Sequence, residues 1–204
     1  VLDDLSRGSM ANINRHSDND SMIFIKMDLT DQHDYPYLLQ VLKDHNPDMI
    51  IHLAAINGTE HFYESSFKVA TTNSLVTLNL VNAISSVKSL VIDKWSPKFI
   101  YASSSEVYGE PEIIPTPETA RTDLRVTERR DSYAAGKLIG EFYTKLGCEK
   151  HSIPWLVLRV FNVYGPRMVS TKYGQVIPEF IQRLGDGEYP LKIKGSGENT
   201  RSFN

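Results

Sequence analysis

Tyr133 and Lys137 stand four residues apart in the stretch from Ser132 to Lys145, where Leu138, Ile139, Phe142 and Leu146 recur at helical steps. On a helix that spacing puts the two side chains about 40° apart on one face, a turn from each other. A tyrosine ionises near pH ~10, so to serve as a base at neutral pH it needs a shift of ~3 units, or ~4 kcal/mol. An ammonium one turn away supplies part of this. Tyr and Lys are common on helix surfaces, so the pair gains meaning only from its surroundings. The apolar run Phe99-Ile100-Tyr101-Ala102 leads directly into Ser103-Ser104-Ser105-Glu106. Hydroxyls at the carboxyl end of a strand face the ligand crevice of an open α/β sheet, where a serine can donate to a substrate oxygen and orient the tyrosine.

Positioning these groups requires strands that alternate with helices. Met22–Met27, Met49–Leu53, Lys98–Ala102 and Trp155–Val160 are short apolar runs without clean alternation, as expected of strands buried on both faces. Between them, Leu38, Leu39, Val41 and Leu42 form one apolar patch that ends at Asp44-His45-Asn46-Pro47. Val76, Leu80, Ala83, Ile84 and Val87 predict a long helix over Lys68–Val87, and Ser132–Lys145 a second, stopped by Gly147. The order predicts an α/β fold with a doubly wound parallel, Rossmann-like sheet over residues 1–165. Glu110–Thr119 holds three prolines and reads as a long surface connection. After Pro166 the pattern changes to one helix, Val176–Leu184, and glycine-rich turns, so residues 166–204 read as the start of a smaller lobe.

The amino-terminal half carries a second chemistry. Val1-Leu2-Asp3-Asp4-Leu5-Ser6 reads as a strand end bearing a carboxylate. In a dinucleotide-binding βαβ unit an Asp at the end of the second strand accepts from the adenosine ribose, ~20 residues after a glycine fingerprint. No glycine pair present follows a strand and opens a helix, so that turn and the first strand are expected upstream of Val1, and the chain is expected to be a fragment that by itself binds NAD poorly or not at all and is inactive. Asp28-Leu29 follows one strand, where a carboxylate can meet the adenine amino group. Leu53-Ala54-Ala55 follows the next, where small residues let backbone approach a pyrophosphate.

Composition excludes several other readings. Net charge is −3 over 204 residues, which offers no basic field for a nucleic-acid backbone. No apolar run approaches the ~18 residues that cross a bilayer, and no secretory leader opens the chain. Cys148 is the single cysteine, which excludes an internal disulfide framework and suits a reducing, cytoplasmic setting. The histidines lack metal-ligand spacing, so no metal is expected.

Taken in order, these segments resemble the extended short-chain dehydrogenase/reductase family, the NAD-dependent epimerases and dehydratases that act on nucleotide sugars. The resemblance runs from Asp3–Ser6 through His52–Ala55, Ser103–Ser105, Tyr133–Lys137 and Arg159–Arg167 to Gly195–Phe203. It implies Ser104 as the catalytic hydroxyl, Tyr133 as base and Lys137 as the group that lowers its pKa, helped by the cationic nicotinamide ring. It implies Asp3, Asp28, Leu29, Leu53, Ala54, Ala55, Asn73, Tyr133, Lys137 and Phe161 on the NAD side, with Asn73 holding local geometry. Ser105, Asn162 and Arg201 fall on the nucleotide-diphosphate sugar, where the fork of an arginine matches phosphate oxygens. A homodimer is implied by the same resemblance.

The reaction implied is oxidation at sugar C4 to a 4-keto sugar, which then loses water, loses CO2 or is re-reduced. Glu106 favours a dehydratase or decarboxylase, because a carboxylate two residues after Ser104 can manage the C5 proton as a general base. Ser105 stands where glucose-type dehydratases place an Asp, which brings Ser104-Ser105-Glu106 nearer to decarboxylases and mannose-type dehydratases. The alternatives are a plain 4-epimerase and, in another class, an inactive or non-catalytic relative. Such relatives commonly lose the Tyr or the Lys, and this chain keeps both.

Overall fold

The computed structural model describes residues 1–16, 21–90, 95–168, 176–193, 195–198, 200, 202 and 203. Five strands are described: β1 (Leu2–Asp3), β2 (Ile25–Lys26), β3 (Met49–His52), β4 (Lys98–Ser104) and β5 (Trp155–Val160). All pairing between strands is parallel, β1 with β2 in one sheet and β3-β4-β5 in another. The α/β class with parallel strands therefore stands as expected. The strand expected over Met22–Met27 pairs only at Ile25 and Lys26.

The helices are α1 (Tyr35–His45), α2 (Thr59–Glu64), α3 (Ser66–Leu90), α4 (Asp131–Phe142), α5 (Cys148–Lys150) and α6 (Val176–Gly185). Helix α1 ends where Asn46 adopts the left-handed conformation and its N–H bonds the Leu42 carbonyl. The apolar stripe of α3 explains its length: Val76, Leu80, Ala83, Ile84 and Val87 are all buried. They meet Leu38, Val41 and Leu42 of α1 and Phe99 and Tyr101 of β4 in one core. Gly147 does not stop α4. The helix passes through one π turn, Tyr143–Gly147, and continues into α5. A Cβ at Gly147 would stand 2.5 Å from Val81 Cγ1, so glycine serves the packing of this helix on α3.

Among the described residues, helices cover one face of the larger sheet. Helices α1, α3 and α4 pack on the side of the sheet that carries Phe99 and Tyr101. On the opposite side Met49, Ile51, Leu156 and Leu158 are between 45% and 59% exposed. Between β1 and β2 the described chain forms only two short 3-10 turns, Met10–Asn12 and Asn14–His16. Residues 6–16 carry no apolar stripe, so nothing there drives a helix onto the sheet. Strands β1 and β3 do not pair with each other, and both border one cavity of about 710 Å³. No helix among the described residues is long and apolar enough to cross a membrane.

Candidate active site

Strand β4 ends at Ser104, whose side chain accepts from the N–H of Glu106 at 3.2 Å and caps a 3-10 turn, Ser105–Tyr108. A short polar cap is what this turn needs, because its first N–H groups have no partner inside it. Ser105 opens the turn half-buried. The chain then leaves through Gly109 at φ 65, where a Cβ would stand 1.9 Å from the Asp123 carbonyl oxygen. Glycine is required there twice over, by conformation and by space.

Helix α4 brings Tyr133 and Lys137 to that strand end. Both are buried, and the Ser104 side chain lies beside Tyr133, close enough to lower its pKa. Lys137 Nζ donates to the Ala102 carbonyl at 2.7 Å and lies 5.9 Å from the centre of the Tyr133 ring. Two glycines on the same stripe of α4 make this approach possible. A Cβ at Gly136 would lie 2.9 Å from Asn73 Cβ, and one at Gly140 would lie 2.2 Å from the Tyr101 hydroxyl. That hydroxyl instead donates to the Lys137 carbonyl at 3.2 Å, which ties helix to strand beside Tyr133 and Lys137.

The electrostatics differ from the sequence expectation. Burial raises the Tyr133 pKa to about 12; Ser104 and nearby Arg7 pull it down, and Glu106 pushes it up. The Lys137 ammonium, expected to lower it, donates to the Ala102 carbonyl and does not offset the effect of burial. Burial pulls Lys137 itself down to about 8, so it remains mostly cationic at neutral pH. Desolvation outweighs the neighbouring charges in this enclosed corner.

Glu106 stands at the mouth. Both its oxygens lie 3.3 Å from an Arg130 guanidinium nitrogen, three residues before Tyr133. Behind it, Glu141 accepts from Ser103 Oγ at 2.6 Å and from Arg159 through Nε at 2.9 Å and Nη2 at 2.8 Å. Arg159 also donates to the Glu118 carbonyl at 3.2 Å and lies over the Tyr108 ring. One ion pair thus joins β4, β5, α4 and the long Glu110–Thr119 connection. Sequence reasoning missed Arg130 and Glu141. The visible signal for Glu141 was its place four residues after Lys137 on the same helix face.

The residues expected on the cofactor side divide. Asp3, Asp28, Leu29, Leu53, Ala54 and Ala55 all line the cavity between β1 and β3. Asp3 Oδ1 accepts from Leu5 N–H at 2.7 Å, and Asp28 Oδ1 from Thr30 N–H at 2.8 Å, so each carboxylate is fixed by its own turn. Asn73 is buried and spends its amide on Ile56, accepting from the N–H at 2.7 Å and donating to the carbonyl at 3.0 Å. It holds the loop after β3 in shape. Phe161 follows β5 and does not line this cavity. Asn162 donates to the Ser202 carbonyl at 2.9 Å and pairs with Phe203 in a parallel bridge. Arg201 lies outside the described residues.

Residues 1–204 match the model of the NAD dependent epimerase/dehydratase family. The chain belongs to that family. It is 36% identical over 160 residues to the UDP-N-acetyl-alpha-D-glucosaminuronate decarboxylase of Bacillus cytotoxicus, covering 76% of this chain and 46% of that protein. UDP-glucuronic acid decarboxylase 4 of Arabidopsis thaliana is 30% identical over 203 residues, 100% of this chain and 41% of that protein. Among solved structures, the UDP-N-acetylglucosamine 4-epimerase of Methanobrevibacter ruminantium superposes with a TM-score of 0.83 at 33% identity. That match covers 100% of this chain and 59% of the epimerase. The chain thus spans less than half the length of these two curated relatives.

Proposed function

We propose that this protein is an NAD-dependent enzyme that oxidises a nucleotide-diphosphate sugar at C4 and then decarboxylates or dehydrates the 4-keto sugar. The observation that carries the reading is Glu106, held at the mouth of the site two residues after Ser104 and beside Tyr133. The decarboxylases among its relatives favour loss of CO2 from a UDP-linked uronic acid. A 4-epimerase is the second reading, favoured by the solved structure it resembles. Residues 1–165 are the cofactor half, and residues 166–204 begin the sugar lobe, with Ser105, Asn162 and Arg201 toward the nucleotide sugar. A cytoplasmic homodimer completes the proposal.

The residues present fit NAD. Six of those expected to hold it share one cavity, with Asp3 and Asp28 suited to ribose and adenine and Ala54 and Ala55 leaving room for backbone approach. When bound, NAD supplies the hydride acceptor and a cationic ring near the phenol. Ser104 donates to the C4 oxygen and orients Tyr133. Tyr133 takes the C4 hydroxyl proton. Lys137 sustains positive potential beneath the phenol. Glu106 handles the proton at C5: it removes it when water is lost and, after CO2 has left, passes a proton taken from solvent to the enolate carbon C5.

The test uses the full-length protein with UDP-linked uronic and neutral sugars and product analysis by mass. Tyr133→Phe should lose most C4 oxidation while still binding nucleotide sugar. Glu106→Gln should keep oxidation, seen as NADH or a trapped keto sugar, and slow the second step by ~10²–10⁴-fold. A C4 epimer as the sole wild-type product, unchanged in Glu106→Gln, would replace this reading with the epimerase.

A further inference from the structure

We propose that Phe62 is a positioning residue for Tyr133: its ring lies along the phenol, fixes it against Ser104 and closes one of its faces to water. This rests on the reading of Tyr133 as the base. Phe62 sits on α2, the short helix after β3, and is buried. The two ring centres are 4.7 Å apart with an interplanar angle of 22°. It is the one aromatic contact of Tyr133 among the described residues.

The surroundings show a purpose beyond filling space. Phe62, Val69 and Tyr133, with Ile56 against them, form an apolar cluster separate from the main core. Asn73 clamps Ile56 through both its N–H and its carbonyl. Gly58, at φ 119, is the residue from which α2 starts. Loop, glycine turn and short helix thus converge on one phenol. The polar groups around that phenol are Ser104 and Glu106 at the end of β4, Arg7 after β1 and Lys137 on α4. Ser104, Glu106 and Arg7 bias its charge, while Phe62 is the ring stacked on it among the described residues.

Phe62→Ala opens one face of the phenol to water. Desolvation is the largest cause of the raised Tyr133 pKa, so the variant should ionise nearer pH ~10, while the parent protein stays protonated to about pH 11. The readout is the ring resonance of isotope-labelled Tyr133, assigned with Tyr133→Phe, under conditions where circular dichroism shows the fold intact. A folded Phe62→Ala that titrates with the parent would overturn the proposal.

Should Phe62→Ala not fold, Phe62→Leu decides, since it keeps apolar bulk and loses the flat ring. Turnover should fall about 10- to 100-fold while KM for the nucleotide sugar stays within about twofold, and Phe62→Tyr should recover the rate. Phe62→Leu at parental turnover would equally overturn it. Full turnover in Tyr133→Phe would instead remove the base reading and leave the titration result standing, so the two failures are distinguishable.

Discussion

The corner around Tyr133 and the side expected to hold a dinucleotide fix their polar groups in different ways. At the corner, α4 packs closely on α3 and β4. Gly136 and Gly140 remove the side chains that would hold them apart, and Lys137, Tyr133, Asn73 and Thr77 are buried among apolar neighbours. On the cofactor side, Asp3, Asp28, Leu53, Ala54 and Ala55 line one cavity between β1 and β3. The reactive groups are held by dense packing that any added atom disturbs. The groups expected on the dinucleotide hang from short turns that fix themselves, as Asp3 and Asp28 show. Positioning for chemistry needs neighbours from several elements, whereas these carboxylates need only their own loops.

The sharpest break of this comparison is a pair of truncations on opposite faces of one sheet. Phe99→Ala should cost about 3–5 kcal/mol in denaturant unfolding, because Phe99 is fully buried beneath α1 and α3. Ile51→Ala, at 59% exposure, should stay within about 1 kcal/mol. Equal costs would mean the open face is covered in solution.

Gly140→Ala tests the close approach itself. The added Cβ meets the rigid Tyr101 ring, 2.6 Å from Cζ, so helix or strand must move. A loss of about 3 kcal/mol is expected, at the upper end of overpacking. Gly165→Ala, with nothing within 4 Å, is the control and should be nearly silent.

A third prediction concerns His52, which lies between Phe99 and Tyr101 with Nε2 3.0 Å from Thr77 Oγ1. Burial, with the Lys137 charge adding to it, lowers its pKa to about 3 from 6.5. Between those values the unfolded state binds a proton that the folded state refuses. The stability due to the neutral ring is therefore full above pH 6.5 and is lost as pH falls toward 3. From pH 6.5 to 5 the loss should be about 2 kcal/mol. His52→Gln, which can keep a bond to Thr77, should flatten that part of the curve, and an unchanged slope would contradict it.

The smallest effect lies on the cofactor side. Asp3 should repel a 2′-phosphate and accept from a free ribose hydroxyl, so calorimetric titration of the full-length protein should show NAD bound about tenfold or more tighter than NADP, ~1.4 kcal/mol. Tighter NADP would show Arg7, on the same cavity, outweighing Asp3.

What the sequence determined by itself was whatever depends on neighbours along the chain. The 3.6-residue stripe of Val76–Val87 made α3, and the i, i+4 spacing of Tyr133 and Lys137 put both on the face of α4 that meets β4. The apolar run ending in serines placed Ser104 at a strand's carboxyl end. Asp3 and Asp28 were legible because each carboxylate bonds its own turn. The tertiary structure decided what depends on distance through space. Arg130 finds Glu106 across 24 residues of chain, and Glu141 finds Ser103 across 38. Gly147, legible as a helix stop, became a packing glycine because Val81 stands where its Cβ would be. The ionisation of Tyr133 moved up, opposite to what Lys137 alone implied. Spacing reveals which charges lie near a phenol, but the water removed around it depends on Phe62 and the rest of the folded surroundings, and here that loss of water is the larger effect.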